Sequence, residues 1–228
     1  SCIGSKSSIN SGEVKNILGT FTPPEKVVID VDFLQTLEQR EIFSGIGEML
    51  KVHAINSPES FDLISAAYED LLKDSMIIEE FIHNSLSMKK KLIEIDEFDQ
   101  GVRNVMNYGH SFGHAIESAT NYGIPHGIAV TIGMDIANFV SAELRVSDVS
   151  HFERMHNVLE KNYRTYQHVD ISVELLLNAL SKDKKNSATQ LRLILPGQDG
   201  CISIGLYDNN SKLKNSLDKY FKLYGRVN

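Results

Sequence analysis

The feature that most constrains this chain is a histidine-rich segment, Asn107-Tyr-Gly-His110-Ser-Phe-Gly-His114-Ala-Ile-Glu117, followed by Pro125-His126-Gly127. It holds three of the eight histidines in the sequence. His110 and His114 are four positions apart, so a helix would place them one above the other on the same face. After a short break, His126 opens a second apolar segment. The pattern therefore predicts two consecutive helices that both carry histidine.

Glycines at 109 and 113 stand beside the two paired histidines. Glycine inside a helix costs about 1 kcal/mol relative to alanine, so the pattern predicts that something bulky approaches the backbone there. A neutral imidazole is a good zinc ligand, and a histidine pair at this spacing plus one distant ligand commonly holds a metal with one position open. Core histidines bonded to backbone carbonyls would give the same pattern. The residues alone leave both interpretations open.

Length and composition describe an ordinary globular protein. The chain has 228 residues, of which 42% are hydrophobic and 23% charged, as in soluble domains with a substantial core. A net charge of −7 argues against nucleic acid as the main partner but allows a local basic pocket. Cys2 and Cys201 form no CxxC motif, which indicates a reducing, cytoplasmic location. No apolar run reaches the roughly 18 residues that span a bilayer, so no membrane partner is expected.

Apolar periodicity predicts a mainly α-helical protein with little strand. The predicted helices cover residues 37–55, 58–73, 76–91, 130–144, 151–163, 171–180 and 207–228. A short buried strand is predicted for Lys26–Asp30, and a β-hairpin for residues 191–195 and 201–204. Residues 1–19 lack the P-loop spacing and are predicted to form a loop, solvated or able to grip a phosphate or carboxylate. His151, His156 and His168 stand among polar residues and are predicted to lie at the surface.

Glu48 stands in the predicted first helix, within Gly45-Ile-Gly-Glu48-Met-Leu-Lys51. A carboxylate among glycines and aliphatic residues is expensive to bury unless it meets a cation or a metal ion. On the solvated face of the helix it would instead pair with a neighbouring lysine or arginine. Its apolar neighbours favour the buried position.

Taken together, these segments resemble the C-terminal part of 3-dehydroquinate synthase and its relatives, the sugar phosphate cyclases. The similarity runs in order over nearly the whole chain. It is carried by the Gly-x-Lys6 loop, Lys15-Asn16, Phe33-Leu-Gln-Thr36-Leu, Ser44-Gly-x-x-Glu48-x-x-Lys51, Lys89, Asp96-Glu97, Gly101-x-Arg103, Asn107-x-Gly-His-x-x-Gly-His-x-x-Glu117, His126-Gly127 and Asp183-Lys-Lys185.

The resemblance implies a helical metal-binding domain of the dehydroquinate synthase-like fold at residues 37–228. Residues 1–36 would be a linker and a remnant of the NAD-binding domain. The family's Rossmann-like NAD domain is absent from this chain, so the expectation is a fragment of a longer enzyme or a chain that needs another polypeptide. The family also suggests a homodimer.

The resemblance further implies the site residues. Zinc, or cobalt, would be held by Glu48, His110 and His126. The residues expected to act in catalysis or contact substrate there are His114, Lys51, Lys89, Arg103 and Asn107. Substrate would also meet Lys6, Asn16 and one of Lys184 and Lys185. The cofactor, NAD, would meet Lys6, Lys15, Phe33, Leu34, Gln35 and Thr36.

The implied reaction converts 3-deoxy-arabino-heptulosonate 7-phosphate, a small sugar phosphate, to 3-dehydroquinate. NAD takes a hydride transiently, phosphate leaves by elimination, the hydride returns, and an intramolecular aldol reaction closes the ring. The sequence departs from the family pattern at Ser5, Ser7, His53 and Ile128. These departures bear on the exact substrate more than on the metal site, so a related sugar phosphate cyclase with another substrate is one alternative.

Two further alternatives come from other classes of protein. Metal-dependent polyol and alcohol dehydrogenases share the architecture and bind metal through histidines four apart. The cationic set Lys51, Lys89 and Arg103 argues against them, because a neutral polyol needs no such cup. The other alternative is an inactive C-terminal fragment that folds but does not catalyse.

Overall fold

The computed structural model describes residues 3–4, 6–11, 14–22, 24–181 and 189–225, with backbone only for residues 6, 10, 11, 14–17 and 21. The strands are β1 (Lys6–Ser11), β2 (Val14–Phe21), β3 (Gln190–Pro196) and β4 (Ile202–Asp208). The α-helices are α1 (Gln39–Asn56), α2 (Pro58–Ala66), α3 (Tyr68–Leu71), α4 (Ser75–Ile95), α5 (His110–Ala119), α6 (His126–Leu144), α7 (Val149–Tyr163), α8 (Val173–Ser181) and α9 (Ser211–Tyr224). Short 3-10 segments cover Val31–Thr36, Val102–Asn107 and Arg164–Tyr166.

This architecture confirms the predicted fold class, a mainly helical domain with a C-terminal β-hairpin. Strands β3 and β4 pair antiparallel from Gln190↔Asp208 to Pro196↔Ile202 without a shift in register. Local caps start several helices. Ser57, Asp74, Asp148 and Asn210 each accept a hydrogen bond from a backbone N–H of the following first turn, which satisfies donors that a helix start leaves free.

Helix α6 forms the centre of the core. Every residue from Gly127 to Ser141 is buried, and the helix packs against α1, α5, α7, α9 and strand β3. A helix that is apolar on all sides is stable only when it is covered on all sides. The helices that carry Glu48, His110 and His114 are therefore packed against α6, which itself carries His126.

Buried polar side chains fix α1 against α6 and α7. The Asn162 side-chain amide of α7 donates to the Phe43 carbonyl of α1 at 3.1 Å and to the Thr131 hydroxyl of α6 at 3.0 Å. Its oxygen accepts from the Tyr68 hydroxyl at 3.1 Å. Because unpaired buried amides are unfavourable by about 1–3 kcal/mol, this network favours one relative position of these helices.

Helices α5 and α6 approach at the level of their backbones. A Cβ added at Gly133 would stand 2.1 Å from the carbonyl oxygen of Gly109, and one at Gly113 would stand 3.1 Å from the Val130 Cα. Gly109 also has a positive φ of 75°, a backbone conformation that glycine adopts at little steric cost. The bulky group that the glycines predicted is therefore helix α6.

Several local predictions were wrong at the N-terminal end. Residues 1–19, predicted as a loop, include most of the antiparallel hairpin β1–β2. Lys26–Asp30, predicted as a buried strand, forms no strand, and Val28 is 77% exposed. A short β-branched run becomes a buried strand only where a partner strand and a covering layer exist. The described residues supply neither to this segment.

Two further expectations also need correction. His151 is buried, and His156 is largely covered and bonded to the buried carboxylate of Asp135, whereas His168 is exposed as predicted. Helix α6 is long and apolar enough to cross a membrane by length and composition, contrary to the expectation that no apolar run would qualify. Most of it is buried inside the protein, as in the core helix of a globular domain.

Candidate metal centre

Glu48 and two histidines converge on one point. The Glu48 Oε1 atom lies 3.8 Å from the Nε2 atom of His110 and 3.8 Å from the Nε2 atom of His126. This oxygen is buried, and no described residue forms a hydrogen bond with it. Two atoms that bind one tetrahedral zinc ion at about 2.1 Å stand roughly 3.4 Å apart. Small side-chain rotations would therefore bring the three atoms to ligand distance, and the residues fit a divalent ion.

The outer nitrogens of both rings face hydrogen-bond acceptors. The His110 Nδ1 lies 3.2 Å from the Tyr108 carbonyl oxygen, and the His126 Nδ1 lies 3.3 Å from the Glu117 Oε1. A carbonyl or carboxylate oxygen can only accept, so the proton belongs on each Nδ1. The lone pairs of both Nε2 atoms are then available towards Glu48, which is the arrangement that metal-binding histidines need.

Charge in the site favours the metal-binding forms of these groups. Burial alone would raise the pKa of Glu48, but the charge and hydrogen bond of the Lys51 ammonium hold that pKa at about 2. Lys51 is buried and donates to the Glu48 Oε2 at 2.8 Å. Burial and the nearby Lys51 charge lower the pKa of His110 well below its usual value. The site thus holds a carboxylate and a neutral imidazole, as metal binding requires.

His114 lies beside this centre, one turn along α5. Its ring centroid is 5.3 Å from that of His110 and 5.7 Å from that of His126. One nitrogen from each of the three rings lies within 4.8 Å of the others. His114 is exposed, so it can exchange protons with solvent or substrate next to the ion position.

The predicted cationic residues lie near one another and near Glu48. Lys89 is half-buried on α4, and burial and the charges of Lys51 and Arg103 lower its pKa, while Glu48 partly opposes this shift. Arg103 is buried and donates to the Glu97 carbonyl. The half-buried Asn107 donates to the Asn104 carbonyl at 3.1 Å. Glu48, Lys51, Lys89 and Arg103 are therefore close enough to act on one another electrostatically.

The remaining predicted residues either lie in the 3-10 segment before α1 or have side chains that the structure does not describe. Phe33, Leu34, Gln35 and Thr36 form a 3-10 segment, and their hydrogen bonds are local. Leu34 and Gln35 line an open cleft of about 320 Å³ with α1 and the start of α4. The side chains of Lys6, Lys15 and Asn16 lie outside the described residues, as do Lys184 and Lys185 altogether. Their assigned roles stay predictions.

Sequence reasoning gave no role to two residues that shape the site. Glu117 meets His126, and Ser44 of α1 accepts a hydrogen bond at 2.8 Å from the Gly127 N–H at the start of α6. The spacing of His110, His114 and Glu117 places all three on one helix face, so a signal for Glu117 was present. No local pattern pairs Ser44 with Gly127, because their contact joins distant parts of the chain.

Comparison with known families gives a consistent result. Residues 45–186 match the model for the 3-dehydroquinate synthase C-terminal domain, and residues 1–44 match that for its N-terminal domain. The chain is 35% identical over 206 residues to 3-dehydroquinate synthase of Lactococcus lactis subsp. cremoris (strain MG1363), covering 90% of this chain and 58% of that protein. It is 34% identical over 221 residues to the enzyme of Helicobacter pylori (strain P12), covering 96% and 62%. The chain thus spans about 60% of the length of these relatives.

Solved structures show the same fold at lower identity. 2-Epi-5-epi-valiolone synthase from Streptomyces hygroscopicus subsp. jinggangensis 5008, with NAD+ and Zn2+ bound, superposes with a TM-score of 0.84 at 23% identity. That match covers 97% of this chain and 62% of the other. 2-Deoxy-scyllo-inosose synthase, complexed with carbaglucose-6-phosphate, NAD+ and Co2+, gives 0.78 at 21% identity, covering 96% and 63%. At these identities the likeness establishes the fold.

Proposed function

Because the chain belongs to the 3-dehydroquinate synthase family, we propose that it forms the metal- and substrate-binding part of a phosphate-eliminating cyclase. The proposed reaction converts 3-deoxy-arabino-heptulosonate 7-phosphate to 3-dehydroquinate. Residues 37–228 would form the helical domain, and residues 1–36 would connect it to an NAD-binding domain. The observation that carries the proposal is the buried Glu48 Oε1, which has no described hydrogen-bond partner and faces the Nε2 atoms of His110 and His126.

Glu48, His110 and His126 would hold a zinc or cobalt ion. Such an ion supplies Lewis-acid polarisation of alcohol and carbonyl oxygens. Lys51 keeps Glu48 ionised by donating to its Oε2, so Oε1 remains free for the ion. Three protein ligands leave room for substrate oxygens, as in catalytic zinc sites.

The cationic residues would bind the anionic groups of the substrate. Lys51, Lys89 and Arg103 place positive charges beside the proposed metal position, and such like charges are stabilised when an anion joins them. Arg103 can offer two parallel donors to a carboxylate or phosphate. Asn107, together with Lys184 or Lys185, would complete the contacts to substrate hydroxyls and charge.

His114 would handle protons at the reacting end of the substrate. It is exposed and stands beside both histidines of the centre. An imidazole exchanges protons readily near neutral pH. NAD supplies transient hydride acceptance when bound, and Lys6, Lys15, Phe33, Leu34, Gln35, Thr36 and Asn16 are the proposed cofactor- and substrate-contacting residues at the N-terminal end. The cytoplasmic location and the homodimer stay predictions.

A related cyclase with another sugar phosphate is the second candidate. It is favoured by the departures from the family pattern at Ser5, Ser7, His53 and Ile128. A polyol or alcohol dehydrogenase agrees less well with the structure, because a neutral substrate offers no anionic group to the positive charges of Lys89 and Arg103.

The decisive experiment measures phosphate release with NAD and Zn2+. The chain alone is compared with a version that carries the upstream coding sequence, using the carboxylated heptulosonate phosphate and a heptulose phosphate without the carboxylate. We expect little turnover by the chain alone and phosphate release from the carboxylated substrate by the longer protein. Lys89→Met and Arg103→Met should reduce turnover, whereas Arg164→Gln, at an exposed ion pair with Glu160, should not.

Two results would overturn parts of this proposal. NADH accumulation from a polyol without phosphate release would identify a dehydrogenase. Preferred turnover of the substrate that lacks the carboxylate would identify the related cyclase instead.

A further inference from the structure

We infer that Glu117 is a positioning residue for His126, and that its carboxylate fixes the His126 ring so that Nε2 faces the metal position. The inference rests on the proposed metal centre. It concerns a residue that contacts neither the ion position nor, by its burial, the substrate. Glu117 acts through the His126 imidazole.

The contact joins a buried anchor to an exposed ring. The Glu117 side chain is 5% exposed, whereas the His126 side chain is 44% exposed. An exposed imidazole in the first turn of a helix can turn about its side-chain bonds, and a ring flip would exchange Nδ1 with a carbon and move Nε2. The Glu117 Oε1, 3.3 Å from Nδ1, holds one orientation. It also selects the tautomer with the proton on Nδ1.

The backbone between the two residues holds them at this distance. The Tyr122 N–H donates to the Glu117 carbonyl at 2.7 Å as α5 ends. Asn121 and Tyr122 both have positive φ angles, 50° and 59°, which turn the chain sharply. Pro125 then precedes α6 with an extended backbone. The tight turn therefore returns His126 to the face of α5 that carries Glu117.

The two histidines of the centre have different supports. The acceptor for His110 is a neutral carbonyl, that of Tyr108, while the acceptor for His126 is a carboxyl group. A carboxylate behind an imidazole raises the basicity of the metal-binding nitrogen, and removing such a partner typically weakens metal binding about 10- to 100-fold. His126 therefore depends on a side chain that can be replaced, whereas the support of His110 is part of the backbone.

The test measures Zn2+ affinity by competition with a chromophoric chelator, which needs no substrate and no NAD. The variants are Glu117→Ala, Glu117→Gln, His126→Ala and the double variant Glu117→Ala/His126→Ala. Glu143→Gln, which removes one charge at a surface ion pair with Lys219, is the matched control. Thermal unfolding with a chelator present reports the stability of each metal-free variant.

We expect Glu117→Ala to weaken Zn2+ binding about 10- to 100-fold and Glu117→Gln, which keeps an acceptor oxygen, to weaken it less. Glu143→Gln should bind like the unmodified chain. If Glu117 acts through His126, its removal should have no further effect in the His126→Ala background. A purely structural role would instead lower the metal-free stability and weaken Zn2+ binding equally in both backgrounds.

The inference is overturned if both Glu117 variants bind Zn2+ within about two-fold of the unmodified chain while His126→Ala loses affinity. Equal losses from Glu117→Ala with and without His126 would also overturn it. If Glu117→Ala does not fold, Glu117→Gln carries the test. If His126→Ala binds as tightly as the unmodified chain, the metal centre itself is wrong, and this inference fails with it.

Discussion

Gly127 of α6 lies directly against Ser44 of α1. Its N–H donates to the Ser44 hydroxyl at 2.8 Å, and a Cβ at position 127 would stand 1.9 Å from the Ser44 carbonyl oxygen. Gly127 follows His126, and Ser44 precedes Glu48 by one helical turn. The contact therefore sets the distance between two of the three proposed metal ligands.

Gly127→Ala should push α6 away from α1. We expect a loss of about 1–3 kcal/mol in the free energy of unfolding, as for other overpacked cores, and a clear loss of Zn2+ affinity. Gly45→Ala is the matched control, because a Cβ there meets no atom within 4 Å and alanine favours the helix by up to about 1 kcal/mol. Urea unfolding and a Zn2+ titration would check both variants. Unchanged Zn2+ binding in Gly127→Ala would contradict this account.

Zn2+ should stabilise the folded chain through Glu48. At a free concentration of about 100 times its dissociation constant, a ligand that binds only the folded state adds about 2.7 kcal/mol. Glu48→Gln should lose most of this gain, whereas Glu41→Gln, a surface residue in the first turn of α1, should keep it. Chemical unfolding with Zn2+ and with a chelator measures the difference. Equal stabilisation of both variants would place the ion elsewhere.

His151 should make the protein less stable in mild acid. Burial and the Arg154 charge lower the pKa of His151 to about 4, below the roughly 6.5 expected when unfolded. As the pH falls, the unfolded chain therefore binds this proton before the folded chain does. The contribution of His151 to the free energy of unfolding is fully present above pH 6.5 and is lost as pH falls towards 4. His151→Gln should remove up to about 3 kcal/mol of this pH-dependent loss. Unfolding free energies across that window test it, and parallel curves for both proteins would contradict it.

His156 should show the opposite pH dependence. Burial alone would lower the pKa of His156, but the hydrogen bond and charge of Asp135 raise it above its usual value. The stability that this pair contributes is therefore present below pH 6.5 and is lost as pH rises through the raised folded pKa. In His156→Gln, the unfolding free energy should therefore fall less as the pH rises through this range. If the unfolding free energy of the variant falls with rising pH as much as that of the unmodified chain, another titrating group causes the decline.

The Asp135 carboxylate should be needed for the fold itself. It is fully buried and accepts from His156 Nδ1 at 2.9 Å, from the Tyr163 hydroxyl at 2.8 Å and from the Tyr220 hydroxyl at 2.7 Å. Asp135→Asn should lower the unfolding free energy by about 3–5 kcal/mol, as when one partner of a buried pair is removed. Asp218→Asn, exposed on α9, should change little. A urea titration compares them, and similar midpoints would refute the assignment.

Local sequence patterns predicted the helices and the paired histidines because these depend on short spacings. The glycines at 109 and 113 likewise announced a close approach. The group that approaches them could not be identified from the glycines themselves, because it is the backbone of Val130 on the following helix. Convergence of Glu48 with His110 depends on how α1 and α5 each pack against α6. The prediction that Glu48 and His110 converge therefore came from the resemblance to the family and not from a local pattern.

The failures have the same physical origin. His156 looked like a surface residue because its partner, Asp135, lies on a different helix. Residues 26–30 looked like a buried strand because β-branched side chains fit sheets, yet a strand needs a neighbour to pair with. Both outcomes are decided by tertiary contacts that a short window of sequence does not contain.

The segment around Val28 exposes apolar side chains to solvent, which affects how the protein behaves at high concentration. Val28, Ile29 and Phe33 are at least half exposed and lie close together in the sequence. Nonpolar groups in contact with water promote adhesion between molecules. Concentrated solutions of this chain should therefore scatter light and self-associate, and Val28→Asp should reduce this turbidity without disturbing the proposed metal centre.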